Sequence, residues 1–278
     1  MSRHVIIAGA AKSGTSTLFK YLDAHERVNT SAGKEPHFFC SGFYERYQEE
    51  DIAYNDLWEP SHGDVFVEAT TGYTKHPVIT GAPENMVDHG ISPKIIYIVR
   101  EPIGRLKSHI KYMSWRDESI DHDELREISI AASMYHSQIQ RFVGAFGIES
   151  IKLVLLDDLA ADPGSCMKNI FQFIGVDPVP IEEAQRENQT REVTNLELML
   201  RKTPLWNLKS LFSDALKSRL RSLWSTFSDS PETDVLAEID EERVHAMCED
   251  EMFEIDLTPW RRAIARSSLI DETEDLQV

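Results

Sequence analysis

The stretch Ile6-Ile7-Ala8-Gly9-Ala10-Ala11-Lys12-Ser13-Gly14-Thr15-Ser16-Thr17-Leu18 decides the reading of this chain. An apolar run enters a glycine turn, which delivers a lysine, a row of hydroxyls and the start of a helix. Backbone N–H groups at a helix N-terminus form an anion site, and Lys12 places a point charge beside them. The spacing differs from the ATP/GTP loop G-x-x-x-x-G-K-[ST], because Lys12 precedes Gly14 instead of following it. The loop therefore suits a phosphorylated ligand that need not be a nucleoside triphosphate.

Outward from this loop the pattern repeats. His4–Ala8, Asp64–Ala69, Lys94–Val99 and Ile151–Leu156 are short apolar runs rich in β-branched residues and separated by helix-length segments. Such runs suit strands of a parallel sheet buried on both faces. Helices are predicted over Gly14–His25, Pro102–Trp115 with Pro102 at the first helical position, Asp123–Phe146, and Asp162–Ile174 ending at Gly175. The alternation predicts a three-layer α/β fold with a central parallel sheet flanked by helices. Beyond about Pro180 the character changes. A polar stretch holding Arg191 precedes apolar residues at helical spacing, which predicts a helical C-terminal extension over about 193–262. Its first part, 201–224, carries six Lys/Arg against one acid, and 229–256 carries twelve Asp/Glu against one arginine. Two oppositely charged helices that pair with each other, or cap the sheet, are the expectation. The whole, 1–278, reads as a single domain with its core at about 4–175.

The chain is acidic, with a formal charge of −18 over 278 residues. That balance argues against nucleic acid or an anionic bilayer as a partner held by charge, and against polyanionic acceptors unless a local basic groove overrides it. Three dispersed cysteines (Cys40, Cys166, Cys248) show no metal spacing and read as free thiols. The early first strand leaves no room for a signal peptide, and no apolar run approaches the roughly 20 residues that span a bilayer. A cytoplasmic protein is the expectation.

The second informative segment is Ile95-Ile96-Tyr97-Ile98-Val99-Arg100-Glu101-Pro102-Ile103-Gly104-Arg105-Leu106-Lys107-Ser108-His109. Arg100 falls where a buried strand ends, and Ser108 falls two helical turns later. Ligands of open parallel sheets bind beyond the carboxyl ends of the strands, so Lys12 and Arg100 should share one crevice. A guanidinium there grips a phosphate bidentately.

Together these segments resemble the sulfotransferases that use 3′-phosphoadenylyl sulfate (PAPS), a family of P-loop-type fold. KSGTSTL resembles the loop for the 5′-phosphosulfate, and REPIGRLKSH resembles the 3′-phosphate motif. The resemblance implies donor binding by Lys12, Ser13, Gly14, Thr15, Ser16, Thr17, Arg100 and Ser108, with adenosine 3′,5′-bisphosphate as product and no metal required. Lys34-Glu35-Pro36-His37-Phe38-Phe39 is similar to the K-E-x-H-F-F segment of glycan-type members, including those acting on heparan sulfate. It implies Glu35 as catalytic base, Lys12 at the bridging oxygen of the leaving group, and His37 beside them. Glu68-Ala69-Thr70-Thr71-Gly72-Tyr73 resembles the following E-K-[ST]-P-x-Y segment, and Leu257-Thr258-Pro259-Trp260 resembles a closing motif of bacterial members.

Two departures stand out. Ala69 replaces a lysine, and no K-G-R-x-x-P loop is present, a gap that Arg191 is placed to fill in part. The implied acceptor is the hydroxyl of a carbohydrate, glycolipid or small natural product. Two other readings stay open at this point: a small-molecule kinase with an atypical loop, and a non-catalytic nucleotide-binding scaffold. For single residues bland readings also stand. His37 can be a packed loop histidine, Glu68 a strand-end cap, and Tyr73 a packing residue.

Overall fold

The structure, a computed structural model, describes residues 3–42, 53–60, 62–116 and 121–181. Five parallel strands form the sheet: β1 (Arg3–Gly9), β2 (Val28–Thr30), β4 (Val65–Ala69), β6 (Lys94–Val99) and β7 (Ile151–Leu155), in the order β2-β4-β1-β6-β7. A small antiparallel pair, β3 (Ser41–Gly42) with β5 (Ile79–Thr80), lies apart from it.

Alternate residues of each strand enter different cores. Val5 and Ile7 of β1 join Ile96, Ile98, Val65 and Val67 under α1 (Thr15–Asp23) and α7 (Pro163–Ile174). Ile6 and Ala8 join Ile95, Tyr97 and Val99 under α2 (Ala82–Asp88) and α5 (Tyr135–Phe146), where an aromatic group of Phe39, Tyr54 and Trp58 completes the layer. Period-two burial on both faces is why β1 and β6 read as nearly continuous apolar runs. α3 (Pro102–Arg116) and α4 (His122–Ala131) form a third core through Leu106, Ile110, Leu125 and Ile128. The three-layer α/β arrangement expected from the sequence is the one found.

Local chemistry sets the helix ends. Gly14 precedes α1 at φ 90°, a left-handed conformation that favours a residue without Cβ. Asp162 caps α7 by accepting the Ser165 N–H at 3.0 Å, with Pro163 at the first position and Gly175 left-handed (φ 86°) at the end.

The single helix expected over Asp123–Phe146 is two helices, α4 and α5, broken at residues 132–134. The break accommodates a fully buried arginine. Arg105 donates from Nε to Ser133 Oγ at 3.0 Å, and from Nη2 to the same hydroxyl at 2.6 Å and to the Ser129 carbonyl. Gln138, at the start of α5, donates to the Ala131 carbonyl at 3.0 Å. Both halves keep their apolar faces, so periodicity alone runs through the break. The strand expected to include Leu156 ends at Leu155, where the short helix α6 (Leu156–Ala161) begins. The helical extension at 193–262, Arg191 and the closing Trp260 lie outside the described residues.

Candidate active site

The carboxyl ends of β2, β4, β1 and β6 deliver four segments to one edge of the sheet: the loop around Glu35, the turn at Thr70–Thr74, the Lys12 loop, and Arg100. The crevice expected beyond the strand ends therefore has four walls.

The Lys12 loop and Arg100 meet directly. Arg100 Nη1 donates to the Lys12 carbonyl at 3.0 Å. The Lys12 ammonium sits over the Tyr112 ring, 4.4 Å from its centroid. Burial lowers the pKa of Lys12, and the charges of Lys34 and Arg100 lower it further. The three cations therefore stand close enough for Lys34 and Arg100 to weigh on the charge of Lys12. Ser13 contributes a hydroxyl that is fully buried and has no hydrogen-bond partner in the structure. Such a group is costly unless a ligand satisfies it. Thr15 is buried and Ser16 and Thr17 half-buried on the first turn of α1, at the positive end of the helix dipole. Ser108 lies half-buried on α3, two turns after Arg100.

Glu35 forms the opposite side. Its N–H donates to the Ala69 carbonyl at 2.8 Å, docking the loop on the end of β4. Its carboxylate accepts the Thr71 N–H at 2.8 Å and the Thr71 hydroxyl at 3.2 and 3.3 Å. The side chain is 23% exposed, so an incoming group can reach it. His37 is buried, with Nδ1 3.8 Å from Cys40 Sγ. A Cβ on Gly72 would lie 2.8 Å from that same nitrogen, so the histidine packs where only glycine leaves room.

Lys34 has a place here that its motif does not reveal. Its ammonium donates to Thr15 Oγ1 at 3.0 Å and Ser16 Oγ at 2.9 Å, and lies 3.5 Å from Glu35 Oε1. Lys34 thus joins the phosphate-type loop to the carboxylate. Its position next to Glu35 was the available signal. Thr71, the other residue missed, is recognisable only once β4 is seen beside the Glu35 loop. Lys75 is also buried here, and burial pushes its pKa down to about 8.

Backbone strain marks the same place. Among the described residues only Lys12 (φ 68°), Glu35 (φ 61°) and His37 (φ 54°) are non-glycine residues in the left-handed region. Each such conformation costs roughly 1–3 kcal/mol and persists where surrounding contacts enforce it, commonly at functional sites. These three are the residues that the motif resemblance put at the reaction centre.

A family model of the sulfotransferase domain matches residues 2–209. Mouse carbohydrate sulfotransferase 15 is 22% identical over a match covering 63% of this chain and 44% of that protein. Mouse heparan sulfate glucosamine 3-O-sulfotransferase 5 is 24% identical, covering 62% of this chain and 53% of the relative. The chain thus spans about half the length of the curated relatives it matches. A sulfotransferase structure from Alicyclobacillus acidocaldarius superposes with a TM-score of 0.56 at 24% identity, covering 94% of this chain and 99% of its own. With the domain match extending over most of its length, the chain belongs to the sulfotransferase family.

Proposed function

We propose that this protein transfers the sulfuryl group of PAPS to an acceptor hydroxyl, with Glu35 as the base. The observation that carries the reading is the cluster of Lys12, Lys34 and Arg100 around the N-terminus of α1, faced by the Glu35 carboxylate. Electropositive loops suit a phosphosulfate, and a reachable carboxylate suits proton removal from an alcohol.

In the proposed reaction the acceptor oxygen attacks sulfur while its proton passes to a Glu35 carboxylate oxygen. The bond from sulfur to the bridging oxygen breaks, and its electron pair leaves on the 5′-phosphate of adenosine 3′,5′-bisphosphate. Displacements of this kind pass through loose transition states, where positioning and charge stabilisation dominate. Lys12 is assigned to the charge growing on the bridging oxygen. The hydroxyls of Ser13, Thr15, Ser16 and Thr17 are assigned to the 5′-phosphate oxygens. Arg100 and Ser108 are assigned to the 3′-phosphate. Lys34 holds Thr15, Ser16 and Glu35 in mutual register. His37 supports the Glu35 loop through its packing on Cys40 and Gly72.

The names of the curated relatives favour a sugar hydroxyl as acceptor, on a free carbohydrate or a glycolipid. A small natural-product alcohol fits the same chemistry. No described helix is long and apolar enough to cross a membrane. Incubation with sulfur-labelled PAPS and a panel of sugars, glycolipids and alcohols tests the reading. Label should appear on an acceptor in step with release of the bisphosphate. Bisphosphate binding without transfer to any acceptor or to water would instead indicate a scaffold.

A further inference from the structure

Beneath the crevice lies a carboxyl group that the proposed reaction does not use. Glu68, at the end of β4, is 0% exposed. Three hydroxyls from two separate turns converge on it. Tyr54 donates to Oε1 at 2.9 Å, Thr70 donates to Oε2 at 2.8 Å, and Tyr73 lies 3.2 Å from both oxygens. The Tyr73 oxygen in turn accepts the Phe39 N–H at 3.3 Å. One carboxylate therefore gathers the turn holding Tyr54, the turn after β4, and the loop that carries Glu35 and His37.

Thr71 connects this hub to the chemistry. It stands between Thr70 and Gly72, and both its N–H and its hydroxyl hold the Glu35 carboxylate. Thr70 and Tyr73, on either side of Thr71 in the chain, are pinned by Glu68. We propose that Glu68 is a positioning residue that fixes Thr71, and through it the Glu35 carboxylate, in the orientation needed to take the acceptor proton. This assignment of Glu68 rests on the reading of Glu35 as base. The bland alternative is a strand-end cap with no bearing on Glu35.

The working state of the hub is the ionised one. A carboxylate only accepts, and three O–H donors satisfy it. A protonated carboxyl must itself donate, so one of the three hydroxyls has to turn around and the hold on the turn loosens. Burial pushes the Glu68 carboxyl up to about 7, and the Glu35 charge adds to this, while the three hydroxyls oppose it. The other titratable groups facing it are Tyr54, Tyr73 and Cys40, all pushed upward by burial and by Glu68 itself. His4 and His89 pack on the Tyr54 ring, 5.5 and 5.4 Å between centroids. The hub should therefore loosen as pH falls through about 7.

The Thr71 amide proton, which points at Glu35, reports this directly by NMR without any substrate. In the wild type its shift should titrate with a midpoint near pH 7. In Glu68→Gln that titration should vanish. In Tyr54→Phe, which deletes one donor from an otherwise unchanged ring, the midpoint should move to higher pH. Sulfuryl transfer from PAPS, to the labelled acceptor or to water, should fall about 10- to 100-fold in Glu68→Gln, because small misplacements of a reacting group cost about that much. Adenosine 3′,5′-bisphosphate affinity should stay within about twofold, since the hub touches none of the donor cradle. If Thr71 titrates identically in wild type, Glu68→Gln and Tyr54→Phe, the proposal is wrong. Normal turnover in Glu68→Gln overturns it too, and Tyr54→Phe carries the test should the glutamine variant not fold. Absence of any transfer by the wild type would defeat the sulfotransferase reading while leaving the Thr71 titration to be judged alone.

Discussion

Replacing Glu68 by glutamine keeps the shape of a fully buried side chain and removes one titration, so its effect on stability can be worked out from the structure. The group titrates near 7 in the folded protein, against an ordinary value of 4.5 when exposed, a difference of roughly 2.5 in pKa. At about 1.4 kcal/mol per unit that is about 3 kcal/mol. The sign follows from proton binding. Between those two pH values the folded state holds the proton more tightly than the unfolded chain does. Stability from this group is thus complete below about 4.5 and lost as pH rises through about 7. Glutamine has no such slope. The stability of Glu68→Gln relative to wild type should rise by about 3 kcal/mol between pH 4.5 and 8, or roughly 5–10 °C in Tm at this chain length. Urea unfolding of both proteins at several pH values measures it. Parallel stability curves would mean instead that Glu68 titrates alike in the folded and unfolded chains and is not held as described. A variant more stable at pH 8 and yet slower in turnover is the expected combination, since a buried charge kept for function costs stability.

Other perturbations address the cradle and the base. Glu35→Gln should lower turnover by about 100-fold or more while leaving bisphosphate affinity intact; unchanged turnover in the transfer assay would remove Glu35 from the role. Arg100→Ala should weaken adenosine 3′,5′-bisphosphate much more than adenosine 5′-monophosphate, measured by calorimetry, and equal losses would mean that Arg100 does not read the 3′-phosphate. Lys34→Met removes a neighbouring charge that holds the Lys12 pKa down. The Lys12 ammonium should then titrate at higher pH, and bisphosphate binding should weaken and become less salt-sensitive. A Lys12 titration unchanged by that substitution would show the two ammonium groups to be independent.

Much of the fold was legible because the strands are short apolar runs with different neighbours on each face. The boundaries of β6 over Lys94–Val99 match the run itself, and Gly14, Asp162 and Gly175 mark helix ends by their own chemistry. What escaped was decided by tertiary contacts. The α4–α5 break depends on where Arg105 of a different helix places its guanidinium. β2 hides because its centre is Asn29, whose Nδ2 donates to the Glu59 and His62 carbonyls at 2.7 and 2.6 Å. At the site, Lys12, Glu35, His37 and Arg100 were recognisable from motifs. That Lys12 and Arg100 meet was legible too, since both follow strands of one parallel sheet, but the docking of the Glu35 loop beside them, the bridging of Lys34 to Thr15 and Ser16 and the gathering of hydroxyls on Glu68 were not, because these contacts depend on how separate strand-end loops fold onto one another. The acidic chain as a whole gave no sign of the cationic crevice, since a sum of charges says nothing about where Lys12, Lys34 and Arg100 sit.

The proposed function requires a cradle that takes a nucleotide phosphorylated at both the 3′ and 5′ positions. Calorimetry of the intact chain with adenosine 3′,5′-bisphosphate, in the absence of magnesium, tests it most directly, with ATP and magnesium as the comparison. The bisphosphate should bind tightly and magnesium ATP weakly or not at all. Binding of magnesium ATP without binding of the bisphosphate would contradict the proposed function.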